Sequence, residues 1–492
     1  MMSRRFVTML AVCVSQWWAT SLPAQTVLGP EGPRNPEQKQ PPNRIFHYEL
    51  TVTPAAEPSP PFKYSLYPRW NELTPGNSVP MWYRALSRIQ TSNTHFQALG
   101  ENQERWFTDP WDALPVDEIR SFLNIWSSDL ENAQKATYRE DTDWDLRLRD
   151  LRGPETIAIL LEEFQNARQL AYVLALRIRL NLLERNYDAV LADMRICFRL
   201  AHDVAEPETL INDLIGMAII AITEENIQHF IDTPGSPNLY WALAAMPSPM
   251  IDLRPAMQAE MSLPVRLFPW LKDPEAVDRT PAQWHQVLHD TMQQVAYYAD
   301  ELPGLNSSET GIDIALLALV VRGYPTAKRQ LIEAGHAPQD VEALAVGQVV
   351  GLYQKHVYQQ MWQNFEAASI LPYQQAQRRF DQLEQGLQRE LESSEVIPMV
   401  SVLLPSVRHV SYAGMRREVS HAILMTIEAI RMHMAVNEGR LPASLDEITI
   451  VPVPNNPVTN VPFSYELQDD TALIDSPFPY YHQQYRISVD AN

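Results

Sequence analysis

The chain has 492 residues, enough for roughly two to four ordinary domains or one extended helical array. Apolar residues make up 45%, which allows a large core, and the formal charge of −21 argues against a phosphate backbone as partner, since nucleic-acid binders carry basic patches. Among chemistries, a phosphate-cradling glycine loop and a Gly-x-Ser-x-Gly nucleophile turn are both absent from the sequence.

Residues 1–24 have the make-up of a secretory signal. Arg4 and Arg5 start it, Phe6 to Val14 form its apolar segment, and Ala24 ends it before Gln25. Its removal takes away those two arginines and no acid, so −21 becomes −23. It also removes Cys13 and leaves Cys197 as the single thiol. An exported chain with one cysteine has no internal disulfide, so packing must hold it. Cys197 sits with Met194 and Phe198 on an amphipathic helix and reads as a small buried hydrophobe.

Residues 25–61 form a Pro-rich linker or arm. Within it Phe46, Tyr48, Leu50 and Val52 alternate with His47, Glu49 and Thr51, a half-buried strand pattern. Residues 62–66 are expected to form a second strand, and Thr74-Pro75-Gly76-Asn77 a turn. Helical sequence opens at Trp82. Trp106, Phe107, Trp111, Phe122, Trp126 and Trp144 follow; such rings serve either as sugar platforms or as anchors of loops on a helical body, and the second is the expectation. Asp141, Asp143 and Asp145 lack the glycine and the bidentate glutamate of a calcium loop, so they read as a charged helix or loop.

From Gly153 to about Glu184 apolar residues recur three and four apart, which predicts a long helix. Asn186-Tyr187-Asp188 reverses the chain, with Asp188 as the expected N-cap of a second helix through Ala201. So short a link implies an antiparallel pair. Arg185-Asn186-Tyr187-Asp188-Ala189 with Ala201 resembles part of a tetratricopeptide repeat, although no period of about 34 residues recurs.

A buried helix is expected from Leu210 to Ile231, and from Leu214 to Ile222 it carries no charge and is apolar on every side. Leu214, Met217 and Ala221 mark one face, and Ile211, Ile215, Ile219 and Ile222 the opposite one. A helix of this kind must be covered all round. Glu224-Glu225 end the run far short of the roughly 20 residues a membrane span requires. Pro207 is placed in its first turn. The adjacent acids Glu162-Glu163 and Glu224-Glu225 point to different helix faces and read as solvated edges.

Prolines 247, 249, 255 and 264 divide the next stretch into short pieces. Further helices are expected over 284–299, 326–333, 346–365, 376–391 and 418–436, with a separate apolar run at 314–321. His285 and His289 lie four apart on one helix, the spacing at which two imidazoles grip a zinc ion, but Gln286-Val287-Leu288 between them lacks the glutamate base of the zinc-protease motif. No cofactor is implied.

The last part changes character. Phe463, Tyr465 and Leu467 alternate, Asp469-Asp470 turn the chain, and Ala472-Leu473-Ile474 return as a partner strand. Arg440-Leu441-Pro442-Ala443-Ser444-Leu445, Pro454-Asn455-Asn456-Pro457 and Pro462-Phe463-Ser464-Tyr465 make this tail resemble the soluble end of a type II secretion major pseudopilin. Asn456 stands where that family has aspartate, and the family's long N-terminal membrane helix has no counterpart. The resemblance therefore does not carry over pilus assembly or the family's calcium site; Asp469, Asp470 and Asp475 are expected as solvated turn residues. The whole chain also resembles a group of uncharacterised exported bacterial helical proteins that carry such a tail, a likeness that implies no activity.

Together these readings give a mainly α fold: an antiparallel helix-pair, partly tetratricopeptide-like, bundle or array with short N-terminal strands and a small C-terminal β-hairpin. The expected divisions are 1–24, 25–61, a helical body over 62–436 with a sub-boundary near 232–280, and the tail 437–492. The expected protein is periplasmic or secreted, free of transmembrane segments once processed, and a non-enzymatic binding or scaffolding body with a protein partner at the cell envelope. An exported hydrolase acting on glycans or esters and an accessory of a secretion apparatus are the alternatives.

Overall fold

The computed structural model describes residues 45–91, 93–153, 162–274, 279–298, 309–393, 405–478 and 481–490. The signal-like segment and most of the Pro-rich arm lie outside these. The fold is mainly helical, with a small sheet to which the C-terminal strands belong. In chain order the elements are β1 (Ile45–Val52), β2 (Thr74–Asn77), α1 (Val79–Thr91), α2 (Asn93–Thr108), α3 (Val116–Ile125), α4 (Ser127–Thr137) and β3 (Arg139–Asp141). Then come α5 (Glu162–Leu183), α6 (Tyr187–Ala205), α7 (Leu210–Asp232), α8 (Tyr240–Ala244), α9 (Arg254–Met261), α10 (Leu263–Leu267), α11 (Pro281–Tyr298) and α12 (Glu309–Glu333). The last are α13 (Pro338–Ala343), α14 (Val346–Ser369), α15 (Tyr373–Ser393), α16 (Pro405–Val436), β4 (Ser464–Gln468), β5 (Thr471–Ser476) and β6 (His482–Val489). Among the described residues no helix is long and apolar enough to cross a membrane.

The described residues fall into two compact units. The larger takes 45–146, 162–256 and 410–490; the smaller takes 147–153 and 257–409. The larger unit is built on α7. Ile215, Met217, Ile219, Ile220, Ile222 and Ile227 are buried, but Ile211, Leu214, Ala218 and Ala221 form a half-buried stripe that ends at the exposed Glu225, so the expected all-round cover is met on most of the circumference and not on all of it. At roughly 1.5–3 kcal/mol per buried aliphatic side chain, this one helix drives much of the collapse. It packs on α5, α6 and β1. Gly216 allows the closest approach: a Cβ there would lie 2.6 Å from the Ala201 carbonyl oxygen and 2.7 Å from Ile251 Cδ1.

The four-stranded sheet runs in the order β1-β6-β5-β4, with β1 parallel to β6 and the other pairs antiparallel. Ala472, Ile474, Tyr485 and Ile487 are buried while Leu473, Gln484 and Arg486 are not, so one face of the sheet packs and the other meets water. The expected hairpin is therefore the β4–β5 part of a larger sheet that recruits β1 from the other end of the sequence. Asp469 takes the left-handed backbone (φ 52°) that its tight turn requires.

In the smaller unit α14 is the centre. Val349, Leu352, Tyr353 and Val357 meet Ala327 and Leu331 of α12 and Val341 of α13. Gly347 and Gly351, one turn apart, give α14 a flat strip on which the buried Trp284 indole lies, with ring carbon Cζ3 at 2.9 Å from a Cβ placed at Gly351.

Several local expectations are corrected. Residues 61–63 form a 3-10 turn started by Pro61 rather than a strand at 62–66. Thr74–Asn77 is a short strand on β3, because Thr74 N–H bonds the Tyr138 carbonyl and Asn77 binds the backbone of Asp143. Thr209 caps α7, its side chain accepting from Asn212 N–H, so Pro207 lies ahead of the cap. Asn186 precedes α6, and Asp188 sits in the first turn, where its charge suits the helix dipole. The run 314–321 and the stretch 326–333 belong to the single helix α12, which carries Pro325 inside it. Glu224 is buried, not solvated, while Glu225 is exposed; the side chains of Glu162 and Glu163 lie outside the described residues.

The two kinds of helical glycine predict opposite outcomes. Gly216→Ala is expected to lower stability by about 1–3 kcal/mol through overpacking, in spite of alanine's better helix propensity. Gly386→Ala, where an added Cβ meets nothing within 4 Å, is expected to raise it by up to about 1 kcal/mol. Thermal unfolding followed by circular dichroism reads both; equal shifts would contradict the packing described.

Candidate functional site

Two buried polar networks of the larger unit are well satisfied, and a third is only partly so. Asp203 on α6 is fully buried and fully used. Its carboxylate accepts from Ser78 Oγ at 2.8 Å, Trp82 Nε1 at 2.7 Å and Arg199 Nε at 2.7 Å, and its carbonyl accepts from Trp144 Nε1 at 2.7 Å. Arg431 on α16 is equally committed: it pairs with Glu428 at 3.0 Å and donates to the carbonyls of Thr53 and Ser236. These are structural clamps, since breaking either partner would strand a buried charge.

The third network lies between α7, α16, β1 and the residues around β6. It brings together Glu224 and Gln228, one turn apart on α7; Arg416, Arg417 and Ser420 on α16; Tyr48 on β1; and Tyr481, Gln483 and Tyr485. Glu224 Oε2 meets Arg417 Nη1 at 2.5 Å. Tyr48 and Tyr485 stand opposite each other in the β1–β6 register, and their rings stack at 4.5 Å. The Tyr48 and Tyr481 hydroxyls share a hydrogen bond of 2.9 Å, and Arg416 lies over the Tyr481 ring at 4.5 Å. Gln228 Nε2 donates to the Tyr485 hydroxyl at 3.1 Å and Gln483 Nε2 to Ser420 Oγ at 3.0 Å.

Four buried atoms here have no hydrogen-bond partner among the described residues: Glu224 Oε1, Arg416 Nε, Arg417 Nε and Gln483 Oε1. A partly satisfied polar network is costly in a low-dielectric interior. Burial raises the Glu224 carboxyl to about 7; Arg417 and Arg416 oppose that rise, and Glu418 adds to it. Burial also pushes the phenols of Tyr48 and Tyr485 far up, so both remain hydrogen-bond donors. The cluster can thus hold or release one proton near neutrality. A second carboxyl on the same helix, Asp213, is raised to about 8 by burial and by Asp252.

The residues singled out in the sequence are dispersed. Cys197 is buried, and burial with the neighbouring Asp193 drives its thiol well above the ordinary range, so no thiolate forms. His285 and His289 share a face of α11 with ring centres 6.4 Å apart. Among the described residues no group of three or more His, Cys, Asp or Glu is arranged to hold a metal ion. Asp141, Asp143 and Asp145 are exposed at the end of β3 and in the loop after it. Asp469 and Asp470 are exposed turn residues, but Asp475 is half-buried in β5, accepting from Gln484 at 2.7 Å and contacting His482 at 2.6 Å. Of the aromatic residues in 100–150, Trp106, Phe122, Trp126 and Trp144 are anchors in the core.

Sequence reasoning missed the network itself. Glu224 and Arg417 are 193 residues apart, and neither has a local signature. The alternation of Tyr481, Gln483, Tyr485 and Ile487 with polar residues was the available signal for β6.

The shift of Glu224 from 4.5 to about 7 has a definite sign. Between those values the folded chain keeps a proton that the unfolded chain has released. The linked stability is complete below pH 4.5 and is lost as pH rises through about 7, a change on the order of 3 kcal/mol. Glu224→Gln cannot titrate, so its melting temperature should fall less steeply with pH across that window. Identical slopes for variant and parent would remove Glu224 as the titrating group.

Neither the family models, the curated proteins nor the solved structures compared with this chain contain a match to it.

Proposed function

We propose that the chain is a non-enzymatic exported protein, a helical binding or scaffolding body that works in the periplasm or outside the cell. The observation that carries this reading is the use to which the interior ionisable residues are put. Arg199 with Asp203, Arg177 with Asp193, Arg417 with Glu224 and Arg431 with Glu428 are all ion pairs in which at least one partner is buried. Groups bound in this way hold elements together and are poorly placed to approach a substrate. The three-residue link between α5 and α6 further supports an antiparallel pair of tetratricopeptide-like kind.

The signal-like segment 1–24 supports export, and the lone remaining thiol is compatible with an oxidising compartment. A protein partner at the cell envelope is part of the proposal. Trp70, 84% exposed beside Arg69 and Glu72, offers the kind of aromatic surface that such contacts use.

The test is a screen of the purified full-length chain against polysaccharides and ester substrates. No turnover is expected on any of them. Reproducible turnover that tracks the protein through purification would overturn the reading and favour the hydrolase alternative. Deletion of residues 437–492 is not a clean probe of the tail, because it would strip β6 from β1; substitutions at the exposed Val461 serve better.

A further inference from the structure

Trp111 differs from the buried tryptophans around it. It opens a short 3-10 turn (Trp111–Ala113) and remains half-exposed. Two side chains, Arg179 of α5 and His229 of α7, meet it. The Arg179 guanidinium lies over the indole face, 4.3 Å from the ring centre, and also bonds the Asp109 carbonyl. Arg179 is 6% exposed, and its Nε has no hydrogen-bond partner among the described residues. His229 meets the same indole edge-on, at 5.8 Å and 90°. Glu225 stands one turn before His229 on α7 and so shares its face. It is exposed and interacts electrostatically with Arg179 and with Tyr172 of α5. Burial and the Arg179 charge drive the His229 imidazole down to about 4, so it is neutral at pH 7 and offers one donor and one acceptor.

The chemistry of this set narrows the ligand. The charges of Arg179 and Glu225 cancel. An anion would meet the Glu225 carboxylate, and a cation would meet Arg179. A wholly apolar ligand would cover the imidazole and the carboxylate without offering either a hydrogen bond. What remains is a ring with hydroxyls on its rim and C–H groups on its face. Hydroxyls both donate and accept, as the carboxylate and imidazole require, and an indole takes the C–H face. We propose that Trp111, Arg179, Glu225 and His229 form a binding site for a neutral saccharide. The site deepens the binding function proposed above and rests on it. It also returns to the sugar-platform reading of the aromatic stretch, but for a single ring.

The experiment is calorimetric titration of the full-length protein with cellohexaose, chitohexaose and hexagalacturonate. At least one neutral hexasaccharide is expected to bind, and the acidic one to bind more weakly because the chain is strongly negative. Glu225→Gln keeps the shape of the side chain and is expected to weaken binding about tenfold, more than any fall in melting temperature from the lost Arg179 interaction accounts for. Trp111→Ala is expected to abolish it. If Trp111→Ala also lowers the melting temperature, the Glu225→Gln result decides. Failure of both neutral sugars to bind overturns the site, as does binding that neither substitution affects. Chromatography of the sugar after incubation separates the two readings: shortened products would overturn the non-enzymatic function while leaving the site in place.

Discussion

Enclosure of α7 is the constraint from which the larger unit follows. Most of its circumference is apolar and is covered by apolar neighbours; only the stripe of Ile211, Leu214, Ala218 and Ala221, ending at the exposed Glu225, is half-covered. α5 and α6 cover part of the circumference and β1 another part, while Gly216 lets the chain at Ala201 and Ile251 come within contact distance. The same helix carries acids where its apolar run ends, Asp213 and Glu224, and enclosure buries them too. Burial then sets their chemistry: both carboxyls are displaced upward into the neutral range. Hydrophobic coverage and an unusual proton affinity are thus one effect seen at two kinds of side chain.

The buried polar groups divide by how completely they are paired. Around Asp203 and around Arg431 every strong donor or acceptor named above finds a partner, and the clamps join segments distant in sequence: Ser78 and Trp144 to α6, Thr53 and Ser236 to α16. Such networks add little net energy over a well-packed apolar core, but they penalise misregistered packing heavily. The tyrosine–arginine junction is different. Its Coulombic attraction is strong, yet four of its buried atoms are left over. Desolvation outweighs pairing at Glu224, which is why burial, and not Arg417, sets the direction of its shift. The Trp111 cluster sets a half-exposed indole and the exposed Glu225 beside a buried guanidinium.

Helical periodicity was readable wherever the apolar residues alone decided it. α6, α7, α14 and α15 lie where three- and four-residue spacing placed them, α5 does so over its described part, α16 covers the expected 418–436 but begins earlier, at Pro405, and the β4–β5 hairpin and β1 were marked by alternation. The failures share a cause. Thr74-Pro75-Gly76-Asn77 has turn composition, and only contact with Tyr138 and Asp143 makes it a strand. The Glu224-Glu225 pair reads as solvated because its countercharge, Arg417, lies far along the chain. Trp111 and its buried neighbours are the same residue type in similar local contexts; only α5 and α7, arriving from elsewhere, distinguish them. Whatever depends on two distant segments meeting was invisible in either one.

The parallel pairing of β1 with β6 has a consequence for biogenesis. Residues 45–52 must wait for residues 482–489 before either edge of that ladder can close. In sequence, the smaller unit, mostly 257–409, falls between pieces of the larger one and is synthesised in between. The larger unit is therefore assembled late, from three separated pieces, and a chain clipped or stalled before its final strand would leave an unpaired ladder edge, the kind of surface that chaperones and quality-control proteases detect.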